Sequence, residues 1–128
     1  MNPFTAAELN AMRVEIESTM GSDTAVGFDA LIASIPTGDD ATARTAVIAA
    51  HPCRNLHQMD AQEKERAGMG TVTIAYRCEC KASTLIKPRM RLITNGVDYR
   101  IYGIVARKRT AEPLYYVIYL EDEGVTYG

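Results

Sequence analysis

The dipeptide Asn95-Gly96 constrains this chain more than any other feature. A type I′ turn needs positive φ at both central positions, and Asn-Gly meets that need at the least steric cost. Met90 to Thr94 leads into the pair and Val97 to Ala106 leads out, both with apolar residues at strand spacing. The pattern predicts a tight antiparallel hairpin, so the last third of the chain must build a sheet.

Further strand signals surround it. Val72, Ile74, Tyr76, Cys78 and Cys80 alternate with Thr71, Thr73, Ala75, Arg77 and Glu79, the period of a half-buried strand. Arg107 to Pro113 reads as a second connection, and Leu114 to Leu120 as a final strand rich in Tyr, Val and Ile. Upstream, Val26, Phe28, Ala30 and Ile32 alternate with Gly27, Asp29, Leu31 and Ala33. Residues 35–40, Ile-Pro-Thr-Gly-Asp-Asp, form a turn or loop. Arg44 to Ala50 reads as another strand, ended by Pro52; Val47-Ile48 and the nearby proline favour strand over a helix in this alanine-rich stretch. About six short strands at this spacing predict a mainly β chain, folded as a small antiparallel β-barrel.

Two helices complete the expectation. Thr5 and Glu8 have the spacing of a capping box, in which each side chain satisfies a free backbone N–H. Leu9, Met12, Ile16 and Met20 then recur at helical spacing, with Gly21 as the stop. Asp60 and Glu63 repeat the box ahead of a charged run to Arg66, which predicts a short helix or an exposed loop. Asn55 to Gly70 is therefore one long charged excursion between strands, of the kind that carries function. The division is an N-terminal helix over 1–21 and a barrel over 22–128, forming one structural domain.

Composition narrows the functions. A formal net charge of −2 and a pI near 5.7 argue against general affinity for nucleic acid. No apolar run approaches the roughly 20 residues of a membrane span, so no membrane partner is expected. The start, Met1-Asn2-Pro3-Phe4, lacks the layout of a secretory signal, which points to synthesis in a cytoplasm. The three cysteines, Cys53, Cys78 and Cys80, suit reduced thiols better than a disulfide framework.

The residues with chemistry in reach are few. His51, Cys53, His57, Cys78 and Cys80 are zinc-ligand types, or parts of a redox or nucleophilic pair. Their spacing matches no zinc pattern. Cys-x-Cys on a strand puts both sulfurs on one face, beside apolar neighbours, where cysteine behaves as a small hydrophobe. No phosphate-cradling glycine loop and no calcium-loop spacing appear. No enzyme, cofactor or metal is expected. Arg107, Lys108 and Arg109 form a basic cluster that Lys81, Lys87, Arg89 and Arg91 extend to a positive patch at one end of the barrel. Lys64 and Arg66 add positive charge on the excursion. These residues are the candidate contacts to DNA or to an acidic partner. Tyr115 and Tyr116 point to opposite faces of their strand, and an exposed tyrosine suits an interface.

Several segments in order carry a resemblance. Residues 5–13, Thr-Ala-Ala-Glu-Leu-Asn-Ala-Met-Arg, and Glu17-Ser18-Thr19-Met20 open it. Pro52-Cys53-Arg54, residues 86–92 from Ile86 to Leu92, and residues 96–104 from Gly96 to Ile104 continue it. Together they resemble the small head–tail connector proteins of tailed phages, in particular head-closure (stopper) proteins. The resemblance spans most of the chain except about Asp23 to Ala50 and Leu56 to Met69. The early loop departs from it, lacking a glycine-rich stretch that ends in tryptophan.

The resemblance implies a small β-barrel with long loops and a structural role in the virion. Such a protein forms a hexameric or dodecameric ring between portal and tail, closing the head and docking the tail. Its implied partners are copies of itself, a portal or adaptor protein, a tail terminator, and genomic DNA in the channel. Two other functions compete: a zinc-binding or redox module using His51, Cys53, His57, Cys78 and Cys80, and a nucleic-acid-binding β-barrel.

Overall fold

The computed structural model describes residues 5–34, 45–108 and 113–126. The strands are β1 (Gly27–Ser34), β2 (Thr45–Gln58), β3 (Ala75–Cys80), β4 (Arg91–Thr94), β5 (Val97–Lys108) and β6 (Pro113–Thr126). They pair antiparallel in the order β1-β2-β3-β6-β5-β4, and a β1–β4 ladder closes the barrel. The mainly β barrel with an N-terminal helix is thus as expected.

Local sequence builds the elements as their chemistry predicts. Asn95 and Gly96 have φ of 52° and 74°, and Thr94 pairs with Val97 across the two-residue turn. Helix α1 (Ala6–Glu17) starts with a complete capping box: the Glu8 N–H donates to Thr5 Oγ1 at 3.1 Å, and the Thr5 N–H donates to Glu8 Oε1. Helix α2 (Ala61–Arg66) has the same box from Asp60 and Glu63.

The barrel interior is one cluster that includes Ala30, Ile32, Leu92, Tyr99, Ile101, Ile118 and Leu120, with Cys53, Cys78 and Cys80 among them. Tyr76 and Tyr99 meet edge to face inside it, their centroids 5.1 Å apart. A satellite cluster lies outside the wall. Met59, Met69 and Val72 fold over the outward Ala75, with Ala67 and Tyr119 packed beside them. Lys64 Nζ donates to the carbonyls of Val72 and Thr73, and the Tyr102 hydroxyl donates to the Gly68 carbonyl. Lys64 thus ties the two arms of the excursion together, and its apolar residues with Tyr102 of β5 pin it to the barrel.

Three expectations need correction. Pro52 does not end the second strand: β2 runs on to Gln58. Pro52 pairs with Asp29 of β1, while its carbonyl accepts from the Lys81 N–H on the β3 side, just past the last residue of β3. In extended chain N and O of one residue face the same way, so the missing N–H falls where the β2–β3 ladder has already run out. The excursion consequently starts after Gln58, not at Asn55. The strand expected from Val72 starts only at Ala75, because Val72 is drawn into the satellite cluster and Ile74 is left 39% exposed. Helix α1 stops at Glu17, with Ser18 as its cap, ahead of Gly21.

Gly21 (φ 94°) turns the chain so that its N–H donates to the Cys53 carbonyl. Its backbone then lies against Gly27, where an added Cβ would run into Gly21 backbone atoms and Thr24 Oγ1. Replacing Gly27 by Ala is therefore expected to cost roughly 1–3 kcal/mol, the range for forced overpacking. The midpoint of urea unfolding, compared with the unsubstituted chain, measures it.

Candidate functional site

The histidines and cysteines come to three different places. Cys53, Cys78 and Cys80 are fully buried in the barrel interior, Cys53 facing Cys80 across the β2–β3 ladder. A hydrogen bond from Cys78 favours the Cys53 thiolate, but the bond Cys53 makes to Cys80 and burial outweigh it and push that thiol up. The bond to Cys53 and burial push Cys78 up as well. Both are protonated at neutral pH and are weak nucleophiles.

His51 lies at the edge of this region, 4% exposed, with Nε2 at 2.7 Å from the Lys81 carbonyl. A carbonyl only accepts, so Nε2 carries the proton. His57 is exposed, its Nε2 at 3.4 Å from Glu63 Oε2 of α2. An unbroken strand would put His51, Cys53 and His57 on one face. Asn55 prevents it: at φ 57° it forms the irregularity between Arg54 and His57, and residues beyond it change face. Leu56 packs on the core instead, and His57 turns outward. Among the described residues, no group of three or more His, Cys, Asp and Glu side chains is arranged to hold a metal ion.

The basic residues are distributed over separate clefts, not gathered in one patch. Arg107 at the end of β5 and Arg66 of α2 meet Arg77 of β3 around a cleft of about 290 Å³, with Glu63, Met59 and Tyr119 in its wall. Lys64, beside Arg66, is turned back onto the Val72 and Thr73 carbonyls. Lys108 is exposed at the end of β5, and Arg109 lies outside the described residues. Lys81 sits in another cleft with Arg13 and Glu17, between α1 and the barrel. Lys87, Arg89 and Arg91 line a further cleft with Arg100.

One arginine that sequence reading did not single out ties the N-terminal helix to the sheet. Arg54 Nε donates to Glu79 Oε1 at 2.7 Å, Arg54 Nη1 donates to Thr19 Oγ1 just past α1, and the guanidinium stands 5.5 Å from the centroid of Tyr115. Tyr115 is thus the outward tyrosine of the pair, while Tyr116 packs on the core. The only signal for Arg54 in the sequence is its place after Pro52-Cys53. Arg13 adds a second tie, Nη2 donating to the Pro113 carbonyl at 3.4 Å.

No protein-family model and no curated protein matches the chain.

Two measurements follow. The native protein should resist a thiol-reactive chromogen at neutral pH, and all three cysteines should react once it is denatured. Burial holds His51 below its usual value near 6.5, with the Lys81 charge acting the same way and the Lys81 carbonyl and Glu17 opposing. Between the lowered folded value and 6.5 the unfolded chain binds more protons, so stability is lost as pH falls below about 6.5. Unfolding midpoints at pH 7.5 and 5.5 should differ less in His51→Gln than in the unsubstituted chain.

Proposed function

We propose that the chain is a structural subunit of a phage neck, forming a ring between portal and tail that closes the head and joins the tail. The observation that carries this reading is the state of α1. The helix is held to the barrel by Arg13, and the segment that follows it by Arg54, yet none of its residues is buried and Val14 is 58% exposed. A helix fixed in place with Leu9, Met12 and Ile16 only half-buried and Val14 exposed suits a subunit whose faces are completed by neighbouring copies. Ring closure needs such unlike faces, because a heterologous contact closes only if each subunit offers two complementary surfaces. The resemblance of the N-terminal segment and of the β4–β5 hairpin region to head-closure proteins supports the same reading.

In this reading the ring is hexameric or dodecameric. Portal or adaptor protein lies above it, the tail terminator below, and DNA passes through its channel. The cleft of Arg66, Arg77 and Arg107 is the contact surface for an acidic partner, since guanidinium groups pair carboxylates bidentately.

The test is cryo-electron microscopy of particles made by a phage genome that encodes the chain. Density for the barrel is expected directly beneath the portal, and Arg66→Glu with Arg107→Glu is expected to yield filled heads without tails. Absence of the chain from purified particles, read by mass spectrometry, overturns the proposal.

A further inference from the structure

Two strands outrun their neighbours at the same end of the barrel. β2 is held on the β3 side only as far as Pro52, whose carbonyl accepts from the Lys81 N–H. Its first residues, Thr45 to Ala50, pair with β1 alone. β5 is held on the β4 side only as far as Ile101, whose N–H donates to the Met90 carbonyl and whose carbonyl accepts from the Arg89 N–H. Its last residues, Gly103 to Lys108, pair with β6 alone. Among the described residues, no other backbone hydrogen bond reaches either stretch.

Alternate residues of a strand turn their N–H and C=O to opposite sides. Each stretch therefore presents unpaired donors and acceptors along one edge. Natural proteins blunt such edges with charge, proline or a covering loop. Thr45 to Ala50 has no charged residue and no proline, and Thr45, Ala46, Ala49 and Ala50 are exposed. Gly103 to Arg107 keeps an unbroken register with β6, Val105 is 39% exposed, and charge enters only at Arg107 and Lys108.

The two edges are placed to complement each other. β2 and β5 stand three apart in the closed order of six strands, so they lie on opposite sides of the barrel. The open edge of β2 looks toward β3 and that of β5 toward β4, the same sense around the barrel. On opposite sides of the axis, edges of the same sense face opposite ways in space. β2 runs away from this end of the barrel and β5 runs toward it. Set head to tail, the β5 edge of one copy and the β2 edge of a second are antiparallel and face each other.

We propose that β5 of one copy pairs with β2 of the next, so that neighbouring subunits share a sheet. The inference rests on the reading of the chain as a ring subunit and names the surfaces that meet. A bare strand edge selects an extended chain as its occupant, and a second copy carries one that runs in the required direction. Pairing like edges, β2 with β2 or β5 with β5, closes a dimer and leaves the other edge of each copy bare. Pairing unlike edges covers both, and a closed ring leaves none. Because Thr45 to Ala50 is uncharged, Arg107 and Lys108 meet no like charge in that stretch. The irregularities of the β1–β2 ladder bend β2 here, which limits the shared ladder to a few residues.

The test is disulfide trapping between two purified variants of the chain, Val105→Cys and Ala49→Cys, mixed under mild oxidation. Both positions are exposed, while Cys53, Cys78 and Cys80 are buried. A linked dimer is expected from the mixture and from neither variant alone. Ala46→Cys in place of Ala49→Cys covers a shifted register. Phage particles whose chain carries Val105→Cys with Ala49→Cys should yield a ladder of linked chains. Amide exchange over Gly103 to Lys108 should be slower in the ring than in the monomer. No linked dimer with either β2 position, or linkage only of a variant to itself, overturns the proposal. A ring beneath the portal with these edges apart, or paired to another protein, overturns it and leaves the neck reading standing. Linked dimers from a chain absent from particles overturn the neck reading alone and support the pairing.

Discussion

Closure of the barrel by the short β1–β4 ladder is the constraint on which the rest depends. Leu31, Ile32 and Ala33 pair with Ile93, Leu92 and Arg91 there. Once the sheet is closed every residue faces either the packed interior or the outside, and the two sides alternate along each strand. Ile32 and Leu92 then meet inside with Ile101, Ile118 and Leu120. The neighbouring Arg91 and Arg100 must face outward for the same reason, which creates the cationic cleft. The apolar core and the charged surface are two consequences of one closed ladder.

Irregularities in the strands redistribute side chains that regular alternation would keep together. At Asn55 the phase of β2 shifts, so Cys53 stays inside and His57 goes outside. Between Ile101 and Gly103 the phase of β5 shifts too. Ile101 and Ile104 both serve the core, and Tyr102 turns outward to hold Gly68 of the excursion. Each shift costs ladder regularity and re-aims the side chains beyond it, turning His57 outward in β2 and Ile104 inward in β5.

The surface is organised by arginines tied to carboxylates or carbonyls on other elements. Arg54 joins the turn after α1 to β3 and β6, and Arg13 joins α1 to the start of β6. The Arg54–Glu79 pair is largely shielded from solvent and Arg13 bonds a backbone carbonyl, so each holds one fixed geometry between its elements. A helix attached in this way, with one side still exposed, loses less conformational freedom on meeting a partner than a mobile segment would.

The sequence by itself determined what depends on near neighbours. The Asn95-Gly96 turn, the capping boxes at Thr5 and Asp60, and the alternation of Tyr76, Cys78 and Cys80 are all settled by backbone sterics or by groups within a few residues. What only the tertiary structure decided are relations set by register and ladder length. Pro52 sits inside β2 because β3 stops short of it. His57 parts from His51 and the cysteines because a single bulge falls between them. The basic residues that look like one patch separate into clefts because β4 is paired to β5 and α2 is folded over β3. The Asn95-Gly96 hairpin makes strand pairing necessary, but which cations share a cleft depends on where each ladder begins and ends, and long-range pairing alone sets that.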